Sequence, residues 1–102
     1  MTLVTVEVEL VILTGVEAMK RQEVEIQLTE QQLTANALTT FVQKATSFAS
    51  EVRLGKEDKL VDAKSVLGVL TLALKTGDRV IIETEGTDEE AAVAALVGYF
   101  QA

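Results

Sequence analysis

From Thr2 to Leu13 the chain alternates: Val4, Val6, Val8, Leu10 and Ile12 fall on one face, Thr5, Glu7 and Glu9 on the other. A period of two over this length predicts a strand, not a helix. Thr14-Gly15 opens a loop running to about Arg21, and alternation resumes over Glu23 to Leu28 with Val24, Ile26 and Leu28 inward. The period then changes. Leu38, Phe41, Val42, Ala45 and Phe48 follow helical spacing behind Thr34, a residue suited to a helix N-cap. Val52 and Leu54 mark a short strand, Gly55 to Asp58 a turn, and Leu60 to Asp62 the partner strand. Ser65 is placed to cap a short helix from Val66 to about Leu70. Lys75-Thr76-Gly77-Asp78 reads as a turn, with glycine available for a positive φ. Arg79 to Glu85 alternates as a strand, with Val80 and Ile82 inward. Thr87 to Glu90 reads as a capping box, opening a last helix whose inward stripe is Val93, Leu96, Val97 and Phe100.

From residue 22 the order is therefore β-α-β-β-α-β-α. Short antiparallel strands with helices gathered on one face make an α+β open sandwich with a four-stranded sheet and three helices. Residues 1–20 form an N-terminal extension with one further strand, and residues 21–102 form the domain proper. A strand as apolar as residues 2–13 needs an edge to pair with. It is expected to fold back on Glu23 to Leu28 as a hairpin; the alternative is a homodimer in which residues 2–13 pair with a second copy.

Composition narrows the chemistry. The 102 residues include no histidine and no cysteine, so disulfides, thiolate sites and the commonest metal ligand are absent. No metal site and no cofactor is expected. A net charge of −7 argues against direct contact with nucleic acid, which needs clustered Lys and Arg. No apolar run approaches the ~20 residues of a membrane span. Residues 1–13 carry Glu7 and Glu9 without a basic start, a poor match to a signal peptide, so a cytoplasmic location is expected. Asp88, Glu89 and Glu90 suit the first turn of a helix, where negative charge offsets the dipole. Glu83 and Glu85 belong to the outer face of a strand. No carboxylate pair is placed for acid–base work, and catalysis is not expected.

The segment Val61-Asp62-Ala63-Lys64-Ser65-Val66-Leu67-Gly68-Val69-Leu70-Thr71-Leu72, with Phe41-Val42-Gln43-Lys44-Ala45 and Glu85-Gly86-Thr87-Asp88-Glu89-Glu90-Ala91, resembles the HPr family of the sugar phosphotransferase system. The resemblance covers roughly 80 residues and implies the HPr-like open-faced sandwich. The family's phosphorylated histidine lies in a Gly-(apolar)-His-Ala-Arg-Pro pattern before the first helix. Here that stretch is Gln32-Leu33-Thr34-Ala35-Asn36-Ala37. Thr34 stands in the histidine's place and Asn36 in that of its arginine. An imidazole phosphoramidate passes phosphate on from enzyme I, whereas a threonine ester is too stable for relay and Asn36 brings no charge. The chain is therefore similar to the histidine-less, catabolite-repression branch of the family. That similarity implies phosphorylation of Ser65 by HPr kinase and binding of the modified form to a transcriptional regulator.

Two readings of the residues stand beside the resemblance. Ser65 at a helix start is a favourable place for phosphate, because unpaired N–H groups and the dipole attract an anion; it is equally a plain helix cap. The helix after it is apolar around more of its circumference than one buried face requires. With Val69 and Leu72 inward, Val66, Leu67 and Leu70 remain beside Lys64 and Ser65 as a candidate partner surface.

Overall fold

The computed structural model describes residues 19–101, and these form β1 (Met19–Glu25), α1 (Ala35–Thr46), β2 (Glu51–Lys56), β3 (Lys59–Asp62), α2 (Val66–Leu70), β4 (Arg79–Glu85) and α3 (Glu89–Gln101). A 3-10 turn, Glu30–Leu33, precedes α1. The four strands make one antiparallel sheet in the order β1-β4-β2-β3. Among the described residues only β2 and β3 form a hairpin; β4 inserts between β1 and β2, so closing the sheet requires contacts distant in sequence. The expected strand over residues 2–13 lies outside the described residues.

Register determines which side is core. Val24 lies opposite Val80, and Leu54 opposite Ile82; these four and Val52 are buried beneath the helices. Across them Phe41 of α1 packs on Phe100 of α3 with ring centroids 5.0 Å apart, and edge-on to Tyr99 at 5.4 Å. Tyr99 donates its hydroxyl hydrogen to the Ala37 carbonyl at 3.2 Å, and burial pushes its phenol pKa up. On the opposite face, one transverse row holds Arg21, Glu83 and Arg53. Glu83 accepts from Arg21 at 3.0 Å and from Arg53 at 3.1 Å, pinning three strands together and holding the Arg53 guanidinium above its ordinary pKa.

Several boundaries differ from the sequence reading. The first strand runs from Met19 to Glu25 and does not continue to Leu28. Past Glu25 the chain leaves β4: the Ile26 N–H donates to Asp78, the Gln27 N–H to Phe100, and the Ile26 carbonyl accepts from Gly77. Ile26 and Leu28 are still buried, by the turn and by the end of α3 rather than by a ladder. Gly55 lies inside β2, and the residue with positive φ in the following turn is Glu57, at 57°. Helix α1 ends at Thr46, leaving Phe48 half-buried in the loop beyond. Gly77 takes a φ of 90°, as the turn requires.

The capping box at Thr87 is replaced by another arrangement. Glu89 accepts from the Gly86 N–H at 3.0 Å, and the Asp88 carboxylate turns away to bind the loop before β2. It accepts from the Ala49 N–H at 2.8 Å, the Ser50 N–H at 2.9 Å and the Ser50 hydroxyl. This clamp draws the two loops so close that a Cβ on Gly86 would lie 2.6 Å from Ser50 Oγ. The bonds to Ser50 and Ala49 hold the Asp88 pKa below the usual carboxylate range. A carboxyl lowered on folding contributes stability above its unfolded pKa of about 3.9, and that contribution fades as pH falls through the folded value. Asp88→Ala should therefore unfold at lower urea than the parent chain at pH 7, with the gap narrowing below about pH 4. A gap of equal size at pH 7 and pH 3 would contradict the clamp.

Candidate regulatory surface at the start of helix α2

Helix α2 has five residues, too few to persist on their own. Its N-terminus is fastened by Ser65, which holds extended backbone angles (φ −112°, ψ 117°) while its Oγ accepts from the Gly68 N–H at 3.1 Å. The Ser65 carbonyl then accepts from Val69 at 3.0 Å and begins the helix. At the other end the chain turns through Ala73, whose φ of 51° stops the helix. Lys56 donates to the Leu72 and Ala73 carbonyls at 3.2 and 3.1 Å, and Lys59 to Thr71 at 3.3 Å. Cations there satisfy the last carbonyls and oppose the dipole's negative end.

This anchoring decides which side chains face outward. Val69 and Leu72 are buried, Val66 and Leu70 are half-buried against the core, and Leu67 is 78% exposed. Among the described residues the other exposed large apolar side chain is Leu60, at 52%. Residues 65–74 carry no charge, and neither do residues 34–42 at the start of α1, which packs against α2. In a chain of net charge −7, two adjoining uncharged stretches make a surface suited to recognition by burial.

Lys64 flanks the serine but does not present its charge to it. Its ammonium donates to the Phe48 carbonyl at 2.9 Å, and its backbone N–H donates to the Asp62 carboxylate at 2.9 Å. The side chain thus holds the loop after α1 in place. The Ser65 cap and the apolar spacing around it were visible in the sequence; a contact between residues 48 and 64 has no local signal.

Thr34 sits at the corresponding place on α1. Its Oγ1 accepts from the Ala37 N–H at 3.3 Å and its hydroxyl donates to the Gln31 carbonyl at 3.4 Å. Both partners are backbone, so the hydroxyl serves as a cap with no base beside it. Asn36 is exposed in the first turn, its carbonyl accepting from the Thr39 hydroxyl. Among the described residues no three His, Cys, Asp or Glu side chains are grouped to hold a metal, and no helix is long and apolar enough to cross a membrane. A separate open groove of about 520 Å³, lined by Leu28, Ala37, Lys44, Ala95 and Tyr99 among others, runs between α1 and α3.

The family model for the PTS HPr component phosphorylation site matches residues 15–102. The HPr-like protein Crh of Bacillus subtilis is 41% identical over 83 residues, covering 81% of this chain and 96% of that protein. The crystal structure of a phosphocarrier protein HPr from Bacillus anthracis superposes with a TM-score of 0.77 at 38% identity, over 82% of this chain and 99% of that one. The crystal structure of Bacillus subtilis Crh, a domain-swapped dimer, superposes with a TM-score of 0.63 at 37% identity, over 76% and 84% of the two chains. The chain belongs to the HPr family, and it is an HPr-like protein without the histidine on which a phosphocarrier depends.

The two kinds of residue in α2 should separate on mutation. Ser65→Ala removes a cap and should cost about 1 kcal/mol. Leu67→Ser removes an exposed side chain and should change stability by less than about 0.5 kcal/mol. Urea unfolding of both variants checks this; a Leu67→Ser loss as large as that of Ser65→Ala would mean that Leu67 is held in the core.

Proposed function

We propose that this HPr-family member is a non-transferring regulatory protein, phosphorylated on Ser65 by an HPr kinase and then bound by a transcriptional regulator. The observation that carries the reading is the exposed Leu67, projecting beside a capping serine from a helix without charge. Val66, Leu67 and Leu70 form the apolar contact. A phosphate on Ser65 adds about −1.5 to −2 charge. Because the Lys64 ammonium is engaged with Phe48, the cation that meets this phosphate comes from the partner. Modification thereby converts a surface recognised by burial into one that also demands a positive charge, and unmodified chain is discriminated against. A kinase and a transcriptional regulator as partners imply a cytoplasmic protein.

Loss of the relay supports the same reading. With Thr34 and Asn36 at the family's transfer site, a phosphoryl group has neither an imidazole to carry it nor a guanidinium to steady its oxygens. A serine ester, by contrast, is stable enough to persist as a mark.

A second reading, an assembly module that dimerises through residues 2–13 without phosphorylation, is favoured by one finding: the Bacillus subtilis Crh crystal structure is a swapped dimer. The two readings separate in one experiment. Incubation with HPr kinase and ATP should add one phosphate, mapped by mass spectrometry to Ser65, and Ser65→Ala should stay unmodified. A folded parent chain that takes no phosphate sinks the regulatory reading and leaves the assembly module.

A further inference from the structure

The groove between α1 and α3 has a volume of about 520 Å³, within the roughly 300–1,000 Å³ usual for small-molecule sites. Its walls follow from helical spacing. Ala37, Thr40 and Lys44 share one side of α1, three and four residues apart, and Ala95, Gly98 and Tyr99 line the opposite side from α3. The chain ahead of α1 supplies a third side with Leu28. Nothing in α2 lines it, so the groove is separate from the surface around Ser65. Gly98 keeps it open: a Cβ there would meet no heavy atom within 4 Å, so a larger side chain would stand in unoccupied space.

Tyr99 is the aromatic wall, and its ring is fixed in advance. The hydroxyl is bound to the Ala37 carbonyl at 3.2 Å, and Phe41 and Phe100 meet the ring edge-on with centroids 5.4 and 5.7 Å away. Charge is distributed unevenly around this wall. The chain has 16 acidic residues against nine Lys and Arg, yet no acid lines the groove and Lys44 is the one charge that does. Helix α1 carries no other charge, and α3 carries none after Glu90. Lys20 and Lys56 pair with carboxylates, and Lys59 and Lys64 hold carbonyls. Lys44 enters no ion pair among the described residues. Seven residues of helix put it about 10 Å along α1 from Ala37, where the Tyr99 hydroxyl is held. An apolar trough with a flat ring toward one end and a lone cation toward the other matches a flat apolar body that ends in a single negative group.

We propose that this groove is a binding site for a small aromatic carboxylate, its ring laid against Tyr99 and its carboxylate at Lys44. Binding here is independent of phosphorylation at Ser65. The probe is 2-naphthoate, titrated at low ionic strength into the isotope-labelled full chain and followed by NMR amide shifts. Saturable shifts are expected around Leu28, in residues 37–44 and in residues 95–99, and none around Leu67. The uncharged 2-naphthamide should bind about fivefold more weakly, and so should 2-naphthoate to Lys44→Gln. Gly98→Leu should abolish binding by filling the groove; leucine is the better helix former, so this variant should unfold at no lower urea than the parent. Absence of saturable shifts, shifts centred on Leu67, naphthamide binding as tight as naphthoate, or a folded Gly98→Leu that binds like the parent would each overturn the proposal. Groove shifts that follow protein concentration without the probe would overturn it too, since a second copy would then be the occupant.

Discussion

Burial of Val69 is the contact on which the functional surface depends. Helix α2 is too short to hold itself, so its orientation is set by what grips it: the Ser65 cap, Val69 and Leu72 in the core, and two lysines on its last carbonyls. Two residues along a helix turn through about 200°. With Val69 inward, Leu67 has no choice but solvent. Its exposure follows from packing, and the apolar patch is delivered beside Ser65 by the same contact that holds the helix down.

Thr34 and Ser65 make an instructive pair. Each is an N-cap in extended conformation, and each accepts from the N–H three residues on. What differs is the consequence of losing histidine. At α1, a hydroxyl in the family's transfer position keeps the cap and forfeits the relay. At α2, the hydroxyl that caps the helix is also the group that the proposed function has take the phosphate. One site is reduced to structure, and the other retains a chemistry that suits a stable mark. Residues 65–74 carry no charge, so the proposed partner would meet this surface by apolar burial and by the phosphate itself.

Local chemistry explains how much of this was legible in the sequence. Both caps, the Gly77 turn and the alternation of β4 are written in neighbouring residues, and the structure has them where the spacing puts them. Features decided by distant partners were not legible. The limits of β1 are set by its register with β4, some sixty residues away, and a run of inward apolar residues does not reveal where the ladder stops. Asp88 looked like a helix-capping acid, yet its carboxylate serves Ala49 and Ser50, thirty-nine and thirty-eight residues earlier. Lys64 was read as part of the candidate partner surface, yet its ammonium donates to the Phe48 carbonyl. In each case the residue type was suited to more than one partner, and only the fold selects among them.

The claim that this chain signals by contact and not by relay is tested most directly with the family's own donor. Incubated with phosphorylated enzyme I under conditions that fully label a histidine-containing HPr, the chain should acquire no phosphoryl group, as judged by intact mass. Transfer to Thr34, or to any other residue, would contradict the account.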